Sequence, residues 1–136
     1  MKIRNCLKTT GLVMAISLMF AMPVLAESGY FDFRLEIAED ADSVQYSGNV
    51  LKTDDDDYAR VTYDSSNIGN QDDMEFTIVG EAYEDDMIYS ETVKATANTG
   101  TYYLYYKERQ AVNGSMYRLK GETFRYYVLV SGDWAP

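Results

Sequence analysis

Apolar and polar positions alternate without a break over residues 30–37. Phe31, Phe33, Leu35 and Ile37 fall on one side, Asp32, Arg34 and Glu36 on the other. A period of two over eight residues predicts a strand with one buried and one wet face, as in an antiparallel sheet. The rhythm returns at residues 58–63, with Ala59, Val61 and Tyr63 inward, and at residues 74–82, with Met74, Phe76, Ile78 and Ala82 inward. Val44-Gln45-Tyr46 begins a shorter run that fades at Ser47-Gly48-Asn49, and residues 89–97 form a further strand with Val93, Ala95 and Ala97 on one side. Three runs rich in aromatic and β-branched residues follow at 101–107, 115–120 and 123–130. Such side chains suit a pleated, half-buried surface. Asn113-Gly114 and Gly121-Glu122 read as the turns between these three runs, while acidic or polar clusters at 38–43, 52–57, 65–70 and 84–86 separate the others.

Seven or eight short strands at regular spacing, with no sustained 3.6-residue stripe, predict an all-β fold. The expected form is an antiparallel two-sheet sandwich of immunoglobulin-like type, with a small closed barrel as the alternative. The Cys…Trp…Cys signature of antibody domains is missing, so the likeness is one of architecture.

The first 26 residues stand apart from this pattern. Lys2, Arg4 and Lys8 precede an apolar run at 11–22, Pro23 follows, and Val24-Leu25-Ala26 offers small residues for cleavage. This is the layout of a secretory signal peptide, and the apolar run is too short to span a bilayer about 30 Å thick. Residues 27–136 then form a single domain of 110 residues that acts outside the cell, with no integral membrane span after cleavage. Cys6 is the only cysteine and lies in the leader, so the domain is stabilised by packing without a disulfide. Loss of Lys2, Arg4 and Lys8 leaves 9 basic residues against 22 acidic ones, a net charge of −13. Phosphate backbones and anionic lipid surfaces repel such a chain, which argues against a nucleic-acid partner.

Candidate chemistry is sparse. With no histidine and no cysteine beyond Cys6, Ser-His-Asp and Cys-His catalysis and zinc sites of the Cys/His type are excluded. No phosphate-binding loop or dinucleotide turn is present. The expectation is a protein that is not an enzyme and needs no cofactor. Asp54, Asp55, Asp56 and Asp57 are a candidate weak calcium loop, because calcium collects six to eight oxygens; solvated acidic turns are the plainer reading. The 13 tyrosines and one tryptophan are the other candidates. If Leu104 and Val128 face the core, Tyr103, Tyr105 and Tyr127 look outward, where adjacent rings suit stacking a sugar or docking a partner. Cross-strand aromatic pairing is the structural alternative. Trp134 either joins that surface or seals the open end of the sandwich, giving its N–H to a loop carbonyl.

Residues 101–104, 117–121 and Ser131-Gly132-Asp133-Trp134-Ala135-Pro136 resemble features of small exported proteins of Gram-positive bacteria. Those proteins carry a signal peptide and a domain with a Gly-x-Trp-x-Pro type tail, and some are grouped with lactococcin 972-like bacteriocins. The resemblance implies export and no catalytic residue; the acidity and lack of histidine depart from the bacteriocin. Three functions follow as expectations: an extracellular interaction or structural module contacting a protein or glycan, a small carbohydrate-binding module using Tyr103, Tyr105, Tyr127 and Trp134, or a bacteriocin-like toxin.

Overall fold

The structure is a computed structural model that describes residues 27–37, 43–69, 74–81, 87–124 and 127–136. The expected leader, the acidic turn at 84–86, and Asp72, Asp73, Ala82, Arg125 and Tyr126 lie outside the described residues. Nine strands form among the described residues: β1 (Gly29–Leu35), β2 (Val44–Tyr46), β3 (Val50–Leu51), β4 (Tyr58–Ser66), β5 (Met74–Gly80), β6 (Val93–Ala95), β7 (Gly100–Tyr105), β8 (Met116–Thr123) and β9 (Val128–Ala135). They make two antiparallel sheets, one ordered β1-β9-β4-β7 and the other β2-β8-β5-β6, with β3 also on β8.

The alternating residues meet between the sheets. Phe31, Phe33 and Leu35 of β1, Ala59, Val61 and Tyr63 of β4, and Val128, Val130 and Trp134 of β9 pack against Met74, Phe76 and Ile78 of β5 and Tyr117 and Leu119 of β8. Phe31 meets the Phe76 ring edge-on at 5.7 Å between centroids. Ile37 lies beyond the end of β1 and is exposed, so the inward phase stops at Leu35. Phe124, which the run at 123–130 would place inward in phase with Val128 and Val130, is instead exposed, because β8 ends at Thr123 and β9 starts only at Val128.

Three features depart from the sequence reading. Gly121-Glu122 is not a turn, because β8 runs through it to Thr123. A Cβ on Gly121 would stand 2.5 Å from Phe33 Cδ2 and 2.6 Å from Met74 Cε, so this glycine marks where the sheets press together. The connections are also not those of an immunoglobulin domain, whose last two strands share a sheet. Here β8 and β9 lie in opposite sheets, and β9 runs between β1 and β4. Finally, the second strand is divided into β2 and β3. Ser47 keeps the ladder intact across the break: its N–H donates to the Leu119 carbonyl and its Oγ accepts from the Leu119 N–H, both at 2.9 Å.

The barrel alternative is realised on one side only. Tyr89 N–H donates to the Ile78 carbonyl of the five-stranded sheet at 2.9 Å. The neighbouring Glu91 N–H donates to Tyr105 of the four-stranded sheet at 2.8 Å, and Lys107 N–H to the Tyr89 carbonyl at 2.8 Å. At the opposite side, among the described residues, Arg34 N–H donates to Gln45 Oε1 at 2.8 Å.

Candidate functional site

The polar phase of each strand faces outward, and in the four-stranded sheet it brings three tyrosines together. Register places Tyr58 of β4 opposite Tyr105 of β7, and Arg60 opposite Tyr103. Because Ala59, Val61 and Tyr63 point inward, Tyr58, Arg60 and Thr62 must point outward. Tyr103 and Tyr105 are each 49% exposed. The Tyr58 ring meets both: 5.2 Å between centroids at 85° to Tyr103, and 5.9 Å at 67° to Tyr105. These are edge-to-face contacts, the geometry ring quadrupoles prefer. They steady the β4–β7 pair, as cross-strand pairing would, and still leave much of the rings in solvent.

A shallow cleft of about 140 Å³ opens beside them, lined by Asp54, Asp56, Tyr58, Arg60 and Tyr103 and closed by Ala135 and Pro136. The negative charge of Asp56 holds the Tyr58 hydroxyl above its ordinary value, with desolvation and a hydrogen bond to the Asp56 side chain adding to the shift. Aspartates and tyrosines considered separately in the sequence are therefore neighbours.

The aspartate run does not act as one set. Asp54 Oδ1 lies 2.5 Å from Nζ of Lys52, whose side chain is fully buried, and also accepts the Asp56 N–H at 3.2 Å. Asp55 Oδ1 accepts from Asn113 Nδ2 at 3.2 Å. Among the described residues no three Asp, Glu, His or Cys side chains gather as metal ligands, and the calcium reading of Asp54, Asp55, Asp56 and Asp57 has no converging oxygen set beneath it. The reason is that Lys52, which reads as part of an acidic loop, turns into the core. Its ammonium reaches the Pro136 carbonyl at 3.2 Å and stands 5.2 Å from the centroid of the Tyr106 ring.

The four rings singled out in the sequence do not share a plane. Tyr127 is 50% exposed but lies in the segment before β9, where Asn67 Nδ2 donates to its carbonyl at 3.1 Å. It lines a different cleft, of about 480 Å³, with Asp32, Arg34 and Asn67. Trp134 is only 1% exposed and belongs to the core. It is therefore no part of a surface platform, and its indole N–H finds no acceptor among the described residues, so the expected bond to a loop carbonyl is not made. A third cleft, of about 420 Å³, opens beside Tyr89, Val112 and Met116. The 480 Å³ cleft holds one ring, Tyr127. The 420 Å³ cleft sets Tyr89 and Tyr117 near Glu81, but Tyr117 is buried and its hydroxyl donates to the Gln110 carbonyl, so its ring is part of the wall and not of an open face.

The outer face of the five-stranded sheet is already occupied by its own side chains. The Arg118 guanidinium lies 4.6 Å from the centroid of the Tyr46 ring while its Nε donates to the Gly80 carbonyl at 2.8 Å. Lys120 pairs with Glu122 at 3.3 Å, and the Thr77 and Thr92 hydroxyls bond at 3.0 Å.

Sequence reasoning found Tyr103 and Tyr105, named Asp56 only as part of a calcium loop, and missed Tyr58. Tyr58 was detectable as the outward partner in its own alternation; the approach of Asp56 depends on how the Lys52 hook folds the loop, which leaves no periodic signal. The chain matches no protein-family model, no curated protein and no solved structure. Fold and site thus define a class, an all-β two-sheet sandwich with an aromatic and acidic outer patch, and the lactococcin-like resemblance has no counterpart in these comparisons.

Proposed function

We propose that this chain is an exported, non-enzymatic interaction module that works outside a Gram-positive cell and engages its partner through the outer face of the four-stranded sheet. The observation that carries this reading is the cluster of half-buried Tyr58 with exposed Tyr103 and Tyr105 beside Asp56, set against a five-stranded sheet whose outer aromatic ring is covered by Arg118. Export rests on the leader-like residues 1–26, and expression in a Gram-positive host should release a product beginning at Glu27.

A carbohydrate partner is the second reading. It is favoured by hydrogen-bonding groups on Asp56 and Arg60 lining the same cleft as the Tyr103 ring, the combination that orients a sugar on an aromatic surface. A glycan array probed with the native domain and with a Tyr103→Ala, Tyr105→Ala variant, in calcium and in chelator, tests it. Glycan signals lost in the variant support the face as a sugar site. Signals that survive in the variant overturn it, and a calcium requirement would restore a role for Asp54 to Asp57.

A further inference from the structure

We infer that the corner between Tyr58 and Tyr103 receives a primary ammonium, the tip of a lysine side chain presented by a basic partner. This rests on the four-stranded sheet being the docking face. The two ring planes stand 85° apart, so they form a corner rather than a flat platform, and a group entering it meets two aromatic systems at once. The electron-rich faces of such rings attract cations. The protein fills its other ring–cation pairs internally, with Lys52 near Tyr106 and Arg118 over Tyr46. Among the described residues no cation lies over Tyr58, Tyr103 or Tyr105.

The surrounding charge has the matching sign. Asp54 is committed to Lys52, whereas Asp56 lines the cleft with no salt-bridge partner among the described residues. Arg60 lines it too and repels a second cation from its own end, which directs an incoming ammonium toward Asp56. A compact ammonium fits a cleft of about 140 Å³ already sharing its wall with one guanidinium better than a second planar guanidinium does. At long range, the net charge of −10 draws in a basic partner and speeds its encounter.

The test uses the processed domain, an oligolysine peptide, and the same peptide with its side chains acetylated. Amide shifts are followed by NMR and Kd by titration. The expected result is shifts centred on residues 56–60 and 101–105 with the lysine peptide and none with the acetylated one. Tyr103→Leu, which keeps a β-forming residue on the strand, and Asp56→Asn should each weaken binding roughly threefold, while Tyr127→Leu leaves it unchanged. Thermal melts of each variant establish that the fold is intact. Shifts spread evenly over the acidic loops, equal binding of the acetylated peptide, or an unchanged Kd in Tyr103→Leu would overturn the inference. If a glycan shifts residues 56–60 and 101–105 where oligolysine does not, the ammonium assignment fails and the docking face stands. If every probe acts elsewhere, the face itself is lost.

Discussion

Tyr63 and Tyr106 are both core tyrosines whose hydroxyls meet opposite fates. The Tyr63 hydroxyl donates to the Ala97 carbonyl at 2.7 Å, and its ring stacks on Tyr102 at 5.8 Å and 8°. The Tyr106 hydroxyl is buried with no partner among the described residues. Tyr63→Phe should therefore cost about 1 kcal/mol in urea unfolding, while Tyr106→Phe should be neutral or stabilising, because it removes a polar atom that lost water and gained nothing. Burial pushes both hydroxyls well above the ordinary value of 10.0. The folded chain keeps these phenols neutral where the unfolded chain releases their protons, so their contribution is complete below about pH 10 and is lost as pH rises beyond it. The urea midpoint should be level up to about pH 9 and drop above about pH 10, and the Tyr106→Phe variant should drop less steeply. None of this could be read from the chain, where all tyrosines look alike; only their inward or outward phase was legible.

At the scale of the strand, alternation revealed β1, β4 and β5 because each has an unmistakable inward phase. Glycines misled, since the same residue serves a turn and a close approach. Gly132 is the stricter case: a Cβ there would lie 2.1 Å from the Thr62 carbonyl oxygen and 2.8 Å from the Tyr63 Cα, against backbone that cannot swing aside. The β4–β9 register also slips between Tyr63 and Ser65, beside this contact. Gly132→Ala should lower stability by about 3 kcal/mol, measured by chemical unfolding. The Lys52 hook belongs to this scale as well, since it ties the connection between β3 and β4 to the end of β9. Its two halves are unequal: Lys52 is fully buried, whereas the Asp54 side chain keeps 27% of its exposure. Asp54→Ala leaves an ammonium stranded in the core and should cost about 3 kcal/mol, while Lys52→Met leaves a carboxylate that water can reach and should cost clearly less. Parallel melts of the two variants decide the order, and equal losses would show that the pair acts only as a contact.

For the molecule as a whole, the two-sheet sandwich was legible because polarity tells which way each side chain faces. It does not tell which strand lies beside which. The pairing of β1 with β9, near opposite ends of the described chain, has no local signature, and neither does the meeting of Asp56 with Tyr58 and Tyr103 that it helps to frame. That placement gives β9 a governing role. It is the strand on which β1 depends for its ladder and the bridge by which β1 reaches β4. A version ending before Val128 should melt without cooperativity in circular dichroism, whereas shortening β7 at its edge should only lower the midpoint. During synthesis, a ribosome that has not yet delivered Val128–Ala135 holds a chain in which β1 has no strand to pair with and β4 has only β7. Such late completion holds β1 open until the strand that flanks it in space has been synthesised.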